Sequence, residues 1–143
     1  MFNLFVTIAG FVIGLGAVTV IDIHGFLGRH SPYWTEATIR THKVTKPLIW
    51  WGMTLVVLGT YLMYTQGVFG FDFYKVMLAV QAIMVLNGCF LSFVVSPFLL
   101  KQESEGRSRE LLPQSLQLKI SLSFIVSFAS WWGLLLYVLS SIR

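Results

Sequence analysis

Charge is scarce in this chain: its 143 residues carry ten Lys and Arg against six Asp and Glu, 11% in all. A water-soluble domain spends about 25% of its residues on charge. So few charged side chains cannot cover a water-facing surface of this size, which excludes a soluble enzyme domain. Disorder is excluded by the converse shortage, because 56% of the residues are hydrophobic and disordered chains need low hydrophobicity and high charge. With one cysteine, Cys89, the chain has no internal disulfide. Basic residues are not clustered on a polar face, so nucleic acid is excluded as a partner. No internal repeat and no low-complexity segment divides the chain, which reads as a single domain over 1–143.

What is present is apolar sequence in long runs. Four of them, roughly 5–23, 47–64, 74–100 and 119–139, approach or exceed the length needed to cross a hydrocarbon core, about 20 helical residues. Lipid offers the backbone no hydrogen bonds, so each run is a helix. The expected fold is all-α: a polytopic integral membrane protein built as an up-down bundle of four transmembrane helices, with the lipid bilayer as its first partner. The first run lacks a basic leading segment and a small-residue cleavage site, and reads as a retained helix. Pro47 suits the first turn of the second helix, and Pro97 is placed to bend the end of the third.

The loops give an orientation. Arg29, Arg40, Lys43 and Lys46 fall between the first two runs, and Lys101, Arg107, Arg109 and Lys119 between the last two, whereas the opposite face holds only Lys75 and Arg143. Loops rich in Lys and Arg stay cytoplasmic, which predicts both termini outside. In the first cytoplasmic loop Ser31 caps and Pro32 begins a short helix to about Lys43. Glu36 and Arg40 form an i,i+4 pair there, while Trp34, Ala37, Thr41 and Val44 share an apolar arc, the pattern of a helix lying at the membrane interface. The loop 101–119 turns amphipathic toward its end, so the fourth helix is expected to start before the membrane does. On the outer face Phe69, Phe71, Phe73 and Tyr74 are placed for an aromatic belt.

Residues able to carry chemistry are few, and no catalytic constellation is legible. Asp22 and Lys75, the charged residues within or bordering the runs, read as interfacial anchors. Asp22, His24 and His42 all belong to the cytoplasmic ends of the first two helices. His24 and His42 can ligate a haem iron axially, or with a carboxylate hold a divalent metal; the competing reading has them bonded to loop carbonyls or headgroups. Deeper in the bilayer, Gln81 and Asn87 on the third helix and Trp131 and Trp132 on the fourth fall at matching depths, an intramembrane polar cluster in which the amides can accept from the indoles. That cluster is either interhelical bonding or the lining of a pocket. Small residues mark packing faces: Gly10, Gly14 and Ala17 in the first helix, Gly88, Ser92 and Ser96 in the third, and Ser123, Ser127 and Ser130 in the fourth. Cys89 and the methionines at 53, 63, 77 and 84 form no soft-metal pattern.

The segments GLGAVTVIDI, RTHKVTKPLIWWGMTLVVLGTYLM, KVMLAVQAIMVLNG and SWWGLLL together resemble the layout of small bacterial membrane proteins of the copper-resistance D (CopD-like) type. Their length and topology are also similar to the four-helix, haem-binding protoporphyrinogen oxidases of the HemJ type. The resemblance covers most of the chain and implies the bacterial inner membrane and histidines inside or near the helices. Lys75 matches a lysine common at the start of the third helix in such proteins.

The expected function is that of a small, non-enzymatic integral membrane protein, an accessory subunit or a ligand- or lipid-binding bundle, with a membrane-protein partner or a second copy of itself. The alternative is a redox protein holding b-type haem or copper near the cytoplasmic face through His24 and His42. A third reading is a carrier for a small neutral solute at Gln81, Asn87, Trp131 and Trp132.

Overall fold

A computed structural model describes residues 1–141; Arg143, counted above on the outer face, lies outside the described residues. The described residues form helices and no strand: α1 (Phe2–Leu27), α2 (Pro32–Thr65), α3 (Phe71–Phe90), a π-helical segment (Leu91–Val95), α4 (Ser96–Ser104) and α5 (Gln114–Ser140). The π segment joins α3 to α4, so four continuous rods result, each long and apolar enough to cross a membrane. Successive rods run in opposite directions and pack as α1 on α2, α2 on α3, α3 on α5 and α5 on α1.

One element departs from the sequence reading. The helix that starts at Pro32, with the Ser31 hydroxyl accepting from the Trp34 N–H, does not end near Lys43 and runs unbroken through Pro47 to Thr65. No glycine interrupts it before Gly52. The bond that Pro47 removes would have been to the Lys43 carbonyl, one turn back at an exposed residue, where water can replace it. At the other end of the chain α5 begins at Gln114, five residues before the apolar run that opens at 119. Its first turn is secured by Gln117, which donates to the Leu112 carbonyl at 2.7 Å.

The α1–α2 seam is the tightest in the molecule, and glycine is the reason. A methyl group at Gly10 would lie 2.7 Å from the Val56 nitrogen and 2.8 Å from the Gly52 oxygen. At Gly52 it would strike the Gly14 backbone, and at Gly59 the Thr7 side chain and backbone. Gly10 and Gly14 therefore serve contact within the bundle, where small residues let two helix backbones approach closely. The Trp131 ring covers Gly14 from α5 and meets Phe11 edge-on with centroids 6.2 Å apart.

The two ends of the bundle are built differently. At the α2–α3 end, Tyr64 stacks on Tyr74 at 4.3 Å, Phe69 on Phe73 at 5.1 Å, and Phe73 on Tyr137 at 3.9 Å. Phe69 and Tyr74 are buried, so two of the four aromatics expected in an outer belt are turned inward to plug this end. Phe71 remains on the outside, with Lys75 over its ring and paired to Asp72. At the opposite end a small cluster of Ile39, Val95 and Leu99, flanked by Leu112, Leu116 and Ile120, leaves a cleft unfilled.

Candidate functional site: a polar-edged cleft at one end of the bundle

The cleft opens where the end of α1, the first half of α2, the π segment and the start of α5 meet. Its cavity volume is about 100 Å³. Ile21, Ile49, Leu91, Ile120 and Phe124 supply apolar wall, and Leu112 of the 105–113 connection closes one side.

The polar edge is made by Asp22, Arg29, His42 and Lys46, all lining the same space. Three of these groups present buried atoms with no hydrogen-bond partner: Asp22 Oδ2, Arg29 Nε and His42 Nε2. Buried polar atoms are nearly always bonded, since leaving one unmade costs about 1–3 kcal/mol. Gln102 Oε1 is the one other such atom among the described residues, so the orphans concentrate here. Ion pairing gives the same picture. Five of the six acidic residues, Glu36, Asp72, Glu103, Glu105 and Glu110, pair with a base, and the sixth is Asp22. Arg29 and Lys46 pair with no carboxylate, although both share a cleft with one.

Lys46 is held by a backbone irregularity that follows from Pro97. In the π segment the Ser96 N–H reaches back five residues to the Leu91 carbonyl. The Ser92 carbonyl then needs the N–H of residue 97, and proline has none. Lys46 Nζ donates to that vacant carbonyl at 3.4 Å and to Ser96 Oγ at 3.3 Å. Next to it Trp50 donates its indole N–H to Ser92 Oγ at 3.0 Å. The bend expected at Pro97 is therefore a register shift one turn earlier, and it binds a lysine of α2 to the third rod.

The wall from 105–113 is tied down by charge. Arg109 donates to Glu36 at 2.8 Å and Lys43 pairs with Glu103 at 2.7 Å, both between α2 and the end of the third rod or its connection. Within the connection Arg107 pairs with Glu105 and with Glu110. The hydrogen bond from Arg107 holds the Glu105 carboxyl below its ordinary range, and the Glu36 carboxylate raises the Arg109 guanidinium above its own. Gln102 adds a bond to the Glu110 carbonyl at 2.7 Å.

Of the residues singled out from sequence, His42 and Asp22 belong to the cleft and His24 does not. His24 bonds through Nδ1 to the Val20 carbonyl at 2.7 Å and packs its ring against Trp34, centroids 5.2 Å apart. Only its Nε2 remains to ligate a metal, and no group of three or more metal-binding side chains occurs among the described residues. Gln81, Asn87, Trp131 and Trp132 are dispersed. Gln81 donates to Thr60 Oγ1 at 2.8 Å, whose hydroxyl in turn donates to the Val56 carbonyl at 2.8 Å. Asn87 and Ser123 bond reciprocally, at 3.1 Å from the amide to the Ser123 carbonyl and 2.6 Å from the hydroxyl to the Asn87 oxygen. Trp131 is buried on Gly14 and Trp132, 40% exposed, leans outward on Phe128, so neither indole is a partner of these amides. Arg29, Lys46 and Ser92 were not read as site residues. The sequence signal for them was a pair of basic residues in the loops next to runs with no matching acid.

Comparison of the chain with protein-family models, with curated proteins and with solved structures finds no match in any of the three.

Proposed function

We propose that this chain is a small integral membrane protein, oriented with both termini outside and the cleft end toward the cytoplasm of a bacterial inner membrane. In this reading the first turns of α2 lie at the interface, and the cleft takes up one small amphipathic molecule from the bilayer. The observation that carries it is the convergence of Asp22 Oδ2, Arg29 Nε and His42 Nε2, each buried without a partner, on a single otherwise apolar cleft. Groups that face a common space and not one another are arranged for something placed between them. The aromatic plug at the other end supports a binding role over a path through the bundle.

The test is cross-linking with a fatty acid carrying a photoactivatable diazirine in its chain, in reconstituted vesicles, with adducts mapped by mass spectrometry. Adducts at Ile21, Ile120 and Phe124 that unlabelled fatty acid competes away support the reading. Adducts confined to outward residues such as Leu86, 70% exposed, and Ile125, 60% exposed, with no competition, overturn it.

A further inference from the structure

The charges that line the cleft do not cancel. Arg29 and Lys46 bring two positive charges, and Asp22 is the one carboxyl group that lines the space. Outside the cleft at this end, opposite charges are in contact in Glu36 with Arg40 and Arg109, and in Glu103 with Lys43. Positive charge in excess, in a place where the wall is mostly hydrocarbon, is costly unless a counter-ion joins it.

Resting on the binding role proposed above, we infer that the ligand carries an anionic oxygen group, a carboxylate or a phosphodiester, on an apolar body. Arg29 and Lys46 are its counter-ions and His42 Nε2 its hydrogen-bonding partner. Lys46 is suited to this. Two of its three N–H donors go to Ser92 and Ser96, which fixes the ammonium at the cleft wall and leaves the third for a ligand. Arg29 is anchored over the Phe26 ring, 5.7 Å from its centroid, with Nε still unbonded. The apolar wall formed by Ile21, Ile49, Leu91, Ile120 and Phe124 takes the body of the molecule. A free anion would leave that wall unused.

The experiment is a titration of the purified full chain in neutral detergent micelles, read by intrinsic tryptophan fluorescence and thermal midpoint. The probes are oleate, dioleoyl phosphatidylglycerol, dioleoyl phosphatidylcholine and sodium phosphate. The expected result is that the two anionic amphiphiles bind at least about tenfold more tightly than phosphatidylcholine, as the loss of one charge-assisted contact implies. Lys46→Gln and Arg29→Gln should each erase that preference, and Lys46→Arg should restore most of it. If Lys46→Gln does not give a monodisperse, helical protein, Arg29→Gln carries the comparison. Equal binding of phosphatidylcholine and phosphatidylglycerol, both abolished by the cleft-filling change Gly25→Leu, overturns the anionic head and leaves the cleft as a binding site. Saturation by sodium phosphate alone, in competition with oleate, overturns the apolar body and makes a free anion the source. No binding of any amphiphile to the wild-type chain overturns this inference and the binding role together.

Discussion

Replacing Gly52 by alanine is expected to separate the first two helices. The added methyl falls on the backbone of Gly14 and lies 2.9 Å from the Gly10 oxygen. Favourable contacts between heavy atoms begin at about 3.5 Å, and what stands in the way is backbone, which no rotamer change can move aside. Relief therefore requires the helices to part by about 1 Å. A gap of that size forfeits a quarter to a half of each dispersion contact it opens, and the seam holds Phe11, Leu15, Val18, Met53 and Val56, all buried. Overpacking of this kind costs about 1–3 kcal/mol. Alanine also stabilises a helix over glycine by about 1 kcal/mol, so the proper reference is a second Gly→Ala change that carries only this term. Gly133 in α5 supplies it, since a methyl there meets nothing within 4 Å. The backbone terms cancel in the difference, and Gly52→Ala should be less stable than Gly133→Ala by about 1–3 kcal/mol. Thermal unfolding in dodecylmaltoside, followed by helical circular dichroism, measures this directly. A midpoint for Gly52→Ala equal to or above that of Gly133→Ala would refute the packing argument.

Three further outcomes are expected. A double-mutant cycle between Asn87→Ala and Ser123→Ala should return a coupling of about 0.6–1.7 kcal/mol, the range for polar pairs between membrane helices; a coupling of zero removes the reciprocal pair. Thr60→Val strands the Gln81 amide in a site where Gln81 is only 4% exposed, at a cost of about 1–3 kcal/mol. Gln81→Leu should cost less in the same unfolding assay, and the reverse order would contradict the assignment. In a Cys89→Ser background, Leu111→Cys should react with an impermeant maleimide only after the cytoplasmic face is opened, and Gln66→Cys in intact cells. The opposite pattern inverts the proposed topology.

The number of helices and their approximate spans were legible because a hydrocarbon core demands length and apolarity, and four runs supply both. The glycine seam was legible in part: Gly10 and Gly14 were visible as a packing face, but their partners Gly52 and Gly59 are defined by the angle at which α2 lies on α1. The unbroken α2 was missed because Pro47 fits a helix start as well as it fits a helix interior one turn from water, and local sequence does not choose between them. At the cleft, Asp22 and His42 stood out as titratable groups at helix ends. Arg29 and Lys46 read as topology signals, since a basic residue in a cytoplasmic loop has that explanation already. What makes Lys46 part of a site is the carbonyl of Ser92, 46 residues away and vacated by a π segment ahead of Pro97. No pattern of residue types announces that arrangement. Similarly, Gln81 and Asn87 were recognisable as bonding groups, while their partners Thr60 and Ser123 depend on helix rotation.

Native mass spectrometry of the protein released from detergent reads whether the cleft binds one amphipathic molecule. Gly25 lines the cleft, and a methyl there touches only Ile120 at 4.0 Å, so Gly25→Leu fills the space without disturbing a seam. The wild-type chain should carry one bound non-protein species of lipid size that Gly25→Leu lacks. A wild-type spectrum with no bound species, or the same adduct on both proteins, would contradict the account.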